Sequence, residues 1–146
     1  MITAYFDGSC MPTNPGYTGG IGAIIFKNDK LLKKISMPIQ DETLISNNVA
    51  EYEAANSVME YLLDNNLKDE SILIYGDSEI VINAINKKKP SKGICAENSL
   101  KALNLVKNFK SIIFKWIPRE RNTEADKLSK NYASDSVSLE YASLQF

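Results

Sequence analysis

The sequence predicts a single mixed α/β domain, for three reasons. Short apolar strand patterns alternate with helical patterns in the order βββαβααβα. The first three strands are joined by links too short for parallel crossovers, which indicates an antiparallel meander. A helix then leads to the fourth strand, and such a connection favours parallel pairing with right-handed topology. We therefore expect one five-stranded mixed sheet, with parallel fourth and fifth strands and helices on its faces.

The first strand begins the chain. Ile2, Ala4 and Phe6 lie on one face and alternate with residues of the other face up to Asp7, which is the period of a strand. Gly8 then turns the chain. Asp7 is therefore expected at the carboxyl end of a strand, where ligand sites cluster in sheets that carry helices.

The later elements follow from periodicity and from helix and strand breakers. Strands are expected at 20–27, 31–37, 71–75 and 112–117, with Pro38 ending the third and a loop at 39–46. Helices are expected at 48–65, from 77–78 to a break at 87–93, at 96–109 and at 122–133. Leu100, Leu103 and Val106 should face inward, and Asn122 should cap the last helix. The core of this single domain, 1–146, ends near 133, and 134–146 is a tail.

Composition and charge exclude several function classes. The 146 residues carry a net charge of −1, unlike a strongly basic general nucleic-acid binder. No apolar run approaches the ~20 residues of a membrane span and no signal peptide opens the chain, so we expect a cytoplasmic monomer without a membrane partner. Cys10 and Cys95 lack metal-site spacing and should be free thiols. Because the chain has no histidine, any catalysis must use carboxylates, lysines, hydroxyls or bound metal.

Four acidic residues stand at the ends or borders of predicted elements. Asp77 follows the fourth strand as Asp7 follows the first, although it could instead cap the next helix. Glu51 falls in the apolar stripe of the first helix, where a carboxylate is costly unless paired or metal-bound, but Asn48 and Glu51 also fit a capping box. Asp126 borders the stripe of the last helix and could simply be solvated. Together, these acids suit Mg²⁺ and two-metal phosphodiester cleavage.

Four motifs resemble those of the type 1 ribonuclease H family, in that family's order and spacing. They are Asp7-Gly8-Ser9 with Asn14-Pro15-Gly16 and Gly20-x-Gly22, then Asn47-Asn48-x-Ala50-Glu51-Tyr52-x-Ala54, then Gly76-Asp77-Ser78, and finally Trp116-x-Pro118 with Asn122-x-x-Ala125-Asp126-x-Leu128. The resemblance implies the ribonuclease H-like fold, whose mixed five-stranded sheet agrees with the pattern of elements above.

The resemblance also implies an endoribonuclease that hydrolyses the RNA strand of RNA–DNA hybrids with two Mg²⁺ ions, for which Mn²⁺ can substitute. It places the catalytic metal ligands on Asp7, Glu51, Asp77 and Asp126. It places hybrid contacts on short polar side chains suited to 2′-hydroxyl groups in a shallow groove, namely Ser9, Asn14, Asn47, Asn48 and Ser78. The two asparagines could also serve as loop and cap residues.

The chain departs from the family in two places. The loop 118–124 lacks the histidine of many members, and Arg119 or Arg121 is the candidate replacement, unless both are solvated or bind phosphate. The lysine run 87–92, which includes Lys89, replaces a longer basic segment and, like Lys115, could contact phosphates or be solvated. Two alternatives stay open: another two-metal nuclease of the superfamily, and a weakly active or non-catalytic hybrid-binding module.

Overall fold

The computed structural model describes residues 1–11 and 16–131. Within that part, the strands are β1 (Ile2–Met11), β2 (Gly16–Lys27), β3 (Lys30–Ile45), β4 (Ser71–Gly76) and β5 (Ser111–Trp116). The α-helices are α1 (Asn47–Asp64), α2 (Glu79–Lys87), α3 (Ala96–Val106) and α4 (Thr123–Lys130). Short 3₁₀ helices at Gly93–Cys95 and Arg119–Arg121 precede α3 and α4. No helix in the described ranges is both long and apolar enough to cross a membrane.

The five strands form one mixed sheet in the order β3-β2-β1-β4-β5. β1 pairs antiparallel with β2, and β2 with β3, whereas β1–β4 and β4–β5 are parallel. The predicted meander and parallel pairings are therefore confirmed. The β1–β4 ladder ends where Phe6 lies opposite Gly76, which brings the residues after this pair to one edge of the sheet.

The third strand is longer than predicted. β3 continues through Pro38 to Ile45, so the expectation that Pro38 ends the strand and that a loop follows was wrong. The reason is the position of β3 at the edge of the sheet, where a strand pairs on one side only and can contain a residue without an N–H. β1 and β2 also extend further than predicted, to Met11 and from Gly16.

Two expectations about helices were also wrong. α3 ends at Val106, and Leu100 is 50% exposed, because the small side chains Ser99 and Ala102 form the buried side of this helix. Asn122 is the N-cap residue of α4, as predicted, but it caps through its backbone carbonyl, which accepts the Asp126 N–H, and its side chain makes no cap hydrogen bond. The predicted end of the last helix at 133 and the tail 134–146 lie outside the described residues.

Glycines allow two helices to lie directly on the sheet. A Cβ atom on Gly8 of β1 would overlap the backbone of Ala50 and Glu51 in α1. A Cβ atom on Gly22 of β2 would overlap the backbone of Ala125 in α4. The apolar core between α1 and the sheet is fully buried and includes Ile2, Ala4, Phe6, Tyr52, Ala55, Met59, Leu62, Ile72 and Ile74. The close contacts at Gly8 and Gly22, the latter paired with Asp7, therefore place α1 and α4 beside the middle of β1, around Asp7.

Candidate active site

Asp7 and Asp77 are neighbours at one edge of the sheet. Each directly follows one member of the last residue pair in the β1–β4 ladder. Asp77 follows the end of β4 as predicted, but β1 continues to Met11 and pairs Asp7 with Gly22, so the expectation that Gly8 turns the chain and leaves Asp7 at the strand end was wrong. Asp77 does not cap α2, because Ser78 is the N-cap and its Oγ accepts the Val81 N–H at 3.4 Å. The capping interpretation of Asp77 is therefore excluded.

Glu51 reaches the same edge from α1. The N-cap of α1 is Ser46, whose Oγ accepts the Val49 N–H at 3.2 Å. Because the helix begins before Asn48, Glu51 lies beyond the first turn, and the capping-box interpretation was wrong. The close approach of α1 to Gly8 instead holds Glu51 over β1, where it is 6% exposed.

These three carboxylates form a compact buried cluster. One oxygen each from Asp7, Glu51 and Asp77 lies within 4.8 Å of the others. Burial raises the pKa of Asp7 to about 7; a hydrogen bond with Glu51 opposes this rise, and repulsion by Asp77 adds to it. Burial, followed by the proximity of Asp7, raises the pKa of Glu51 well above its usual range, although the Gly8 N–H opposes the rise. Without a cation, the cluster therefore resists carrying its full negative charge.

The cluster has the donor set of a hard divalent cation. Carboxylate oxygens are the ligands that Mg²⁺ prefers in proteins. Oε2 of Glu51 is buried and has no hydrogen-bond partner within the described part of the chain. Because leaving a buried charged oxygen unpaired is costly, a cation bound here would satisfy an atom that the protein itself leaves unsatisfied.

Asp126 approaches the cluster from α4. Its carboxylate interacts with Asp7 and contributes to the raised pKa of that residue, but it lies outside the group of three. One turn later, Lys130 places its Nζ 3.0 Å from Oδ1 of Asp126. Asp126 and Lys130 line a cavity of about 210 Å³ with Asp7 and Glu51. Lys130 was missed in the sequence, although its i,i+4 spacing from an acidic residue was a usable signal.

Two of the predicted hybrid contacts lie at the start of α1. Asn47 lines the carboxylate cavity, and its Oδ1 accepts the Cys10 N–H at 3.0 Å. Asn48 is half-buried in the first turn. The geometry thus brings Asn47 to the carboxylates and fixes the orientation of its amide.

Cys10 and Cys95 are both buried and neither forms a disulfide, which confirms the prediction made for the two thiols.

The serines of the predicted hybrid surface have structural hydrogen bonds. Ser9 lines the carboxylate cavity, and its Oγ donates to the Ser129 carbonyl oxygen at 2.9 Å. Ser78 uses its Oγ as the cap acceptor of α2. A substrate contact at either hydroxyl would therefore be added to an existing bond. Asn14 lies outside the described residues.

The candidate cationic residues are separated in space. Arg119 is exposed and lines the carboxylate cavity. Arg121 instead lines a different cavity of about 230 Å³, together with Tyr5 and Phe26. Lys89 is exposed just after α2. Of the two arginines considered as replacements for the family histidine, only Arg119 lies beside the carboxylates.

A larger cavity, of about 650 Å³, lies between α3 and the start of β5. Its described lining consists of four apolar side chains, three lysines and Ser111, with no carboxylate among them. The carboxylate cluster, rather than cavity size, therefore identifies the candidate active site.

Comparison with known proteins agrees with this geometry. The family model described as "Reverse transcriptase-like" matches residues 5–132. Among solved structures, LC11-RNase H1, isolated from compost and crystallised with an RNA/DNA hybrid, is 28% identical, with 94% of this chain and 99% of that chain covered and a TM-score of 0.80. RNase H1 from Halobacterium salinarum NRC-1 is 25% identical, with 92% and 98% covered and a TM-score of 0.79.

A curated relative gives a similar match. The Enterococcus faecalis protein named "Putative hydrolase EbsB" is 25% identical over 130 residues, which are 89% of this chain and 92% of the relative. The family match spans most of the chain, and the structural matches, with TM-scores of about 0.8, share its fold. The chain therefore belongs to the reverse transcriptase-like family, and the structural matches support its assignment to the ribonuclease H family, as its motifs predicted.

Proposed function

We propose that this protein is a metal-dependent endoribonuclease that hydrolyses the RNA strand of RNA–DNA hybrids. The observation that carries the proposal is the convergence of Asp7, Glu51 and Asp77, with one buried Glu51 oxygen left unpaired within the described residues. Family membership supports it, as does the LC11 relative, which was solved with an RNA/DNA hybrid.

Mg²⁺ is the proposed cofactor, with Mn²⁺ as a substitute. Asp7, Glu51 and Asp77 would hold one ion, and Asp7 with Asp126 would hold the second. Two such ions supply an activated water and charge stabilisation of the leaving oxygen in phosphodiester cleavage. The ion pair between Asp126 and Lys130 is half-exposed on the lysine side, and exposed pairs contribute only about 0–1 kcal/mol. Asp126 can therefore exchange Lys130 for a stronger cation at small cost.

The polar residues around the cavity are proposed to bind the hybrid. Asn47 presents a pre-oriented amide beside the carboxylates, and Ser9 presents a hydroxyl. Such short polar groups can contact the 2′-hydroxyls that distinguish RNA from DNA. We propose that the surface is completed by Asn14, Asn48 and Ser78 and that phosphate contacts come from Lys89 and Arg121.

Arg119 is the proposed functional replacement for the histidine of many family members. Its side chain lines the carboxylate cavity. A guanidinium group stays protonated at any physiological pH, so Arg119 can attract a scissile or departing phosphate but cannot shuttle a proton. We therefore expect Arg119 to affect substrate binding and product departure rather than proton transfer.

A substrate panel tests the proposal. The purified protein is incubated with end-labelled RNA–DNA hybrid, RNA duplex, DNA duplex and a branched DNA junction, each with Mg²⁺, Mn²⁺ or chelator. Cleavage of only the RNA strand of the hybrid, and only with metal, is expected. Cleavage of the junction would favour another nuclease of the superfamily, and hybrid binding without cleavage would favour a non-catalytic module. The cytoplasmic location and monomeric state stay predictions.

A further inference from the structure

Asn122 lies at a junction between the elements that carry the acidic residues. It is 1% exposed and immediately precedes α4. Its Nδ2 donates to the Phe6 carbonyl oxygen at 2.8 Å and to Oδ2 of Asp77 at 2.8 Å. Its backbone carbonyl accepts the Asp126 N–H at 3.1 Å. One buried residue thus contacts β1 where its ladder with β4 ends, the residue after β4 and the first turn of α4.

These bonds act where the backbone ladder stops. The β1–β4 pairing ends at Phe6, so beyond it no ladder bond holds Asp77 to β1. The Asn122 amide spans that gap. By donating to Oδ2 it fixes the rotation of the Asp77 carboxylate, which otherwise faces two repelling acids. Its own Oδ1 is buried and has no partner in the described ranges. The amide therefore keeps the orientation that donates to Asp77, although its acceptor oxygen is left without a hydrogen bond.

We propose that Asn122 is a positioning residue: its side-chain amide orients Asp77, and its backbone begins the helix that presents Asp126, so that both acids meet Asp7. This inference rests on the proposed function only in assigning the cluster to metal binding. Partners that orient metal ligands through hydrogen bonds affect metal affinity by about 10- to 100-fold when removed.

The test compares Asn122→Ala with Asn122→Leu. If Asn122 only fills space, the nearly isosteric leucine should be the milder change. If Asn122 acts by donating to Asp77, leucine should be at least as harmful as alanine, because neither side chain can donate a hydrogen bond. Asn56→Ala is the matched control, since Asn56 is also buried, donates to one backbone carbonyl at 3.2 Å and has an Oδ1 without a partner among the described residues, but lies on α1 against α3.

The readout is Mn²⁺ and Mg²⁺ affinity by calorimetry on substrate-free protein, with melting temperatures in chelator. We expect metal binding about 10-fold weaker in both Asn122→Ala and Asn122→Leu, with the Asn56→Ala affinity within about twofold of the parent. If neither of these variants folds, Asn122→Ser, which shortens the side chain but keeps a donor, is measured in their place and should also bind metal more weakly than Asn56→Ala. Wild-type affinity in Asn122→Leu, or equal losses in Asn122→Ala and Asn56→Ala, would overturn the inference. A parent protein that binds metal but cleaves no hybrid would contradict the proposed function alone.

Discussion

Replacing Asp7 by asparagine should stabilise the metal-free protein at neutral and higher pH. Folding raises the pKa of Asp7 from 3.8 to about 7, mainly through burial. A rise of about 3 in pKa corresponds to roughly 4 kcal/mol at 1.36 kcal/mol for each unit. Because the raised value belongs to the folded state, the folded protein binds more protons than the unfolded chain between about pH 4 and 7, and its stability falls as the pH rises through that window.

Asparagine has nearly the same shape as aspartate but no charge, so Asp7→Asn should remove most of this pH-dependent cost. We expect the free energy of unfolding to rise by about 2–4 kcal/mol at about pH 8 and by less than about 1 kcal/mol at about pH 4. Urea titrations in chelator at both pH values measure the difference. The control is Asp69→Asn, in an exposed turn, which should change stability by less than about 0.5 kcal/mol.

The expectation is contradicted if Asp7→Asn is no more stable than the parent at the higher pH, or if its gain in the free energy of unfolding is the same at both pH values. Either result would show that Asp7 does not lie in an environment that resists its charge. Added Mg²⁺ provides a second check. It should stabilise the parent through binding to the folded state, and it should stabilise Asp7→Asn much less.

The remaining predictions concern packing, capping and charge. Gly8→Ala should lower the free energy of unfolding by about 3 kcal/mol and weaken metal binding, because a Cβ would push α1 and Glu51 away from β1. Urea titration measures the stability and calorimetry measures the metal affinity. No change in either quantity would contradict the close packing of α1 on Gly8. Ser46→Ala should cost about 1 kcal/mol in urea titrations and leave metal affinity unchanged, whereas no loss would reject its cap role. Arg119→Gln should lower kcat/KM on the hybrid by about 10-fold, whereas Lys68→Gln, in an exposed turn that does not line the carboxylate cavity, should lower it by less than about twofold; equal effects would reject the special position of Arg119.

The sheet and two of its acids were predictable because they depend on local patterns. Side-chain alternation up to Asp7 and the short links of the meander are visible in the sequence, and the helical crossover before β4 predicts that β4 pairs in parallel. The crossover does not determine which strand β4 pairs with, so Asp7 and Asp77 could be predicted to be neighbours only on the condition that β4 lies beside β1, as it does. By contrast, the continuation of β3 through Pro38 depends on its edge position, which is a property of the sheet order rather than of the residues near Pro38.

The rest of the site depends on contacts distant in sequence. The choice between a capping box and a buried ligand for Glu51 was open because Asn48 is a good cap residue three positions before it; the N-cap at Ser46 and the close contact of α1 with Gly8 decided it. Asn122 is the predicted N-cap residue of α4, but its side chain makes no cap hydrogen bond and donates to Asp77, 45 residues away. No local pattern distinguishes these uses of an asparagine.

The central claim is that the carboxylate cluster catalyses metal-dependent cleavage of RNA in a hybrid. The most direct measurement is the cleavage rate of an end-labelled RNA–DNA hybrid in Mg²⁺ by the parent protein, Asp77→Asn and Asp69→Asn, each checked for folding by circular dichroism. We predict cleavage by the parent and Asp69→Asn, loss in chelator, and at least about a 100-fold loss in folded Asp77→Asn. Full activity of folded Asp77→Asn, or cleavage that persists in chelator, would contradict the claim.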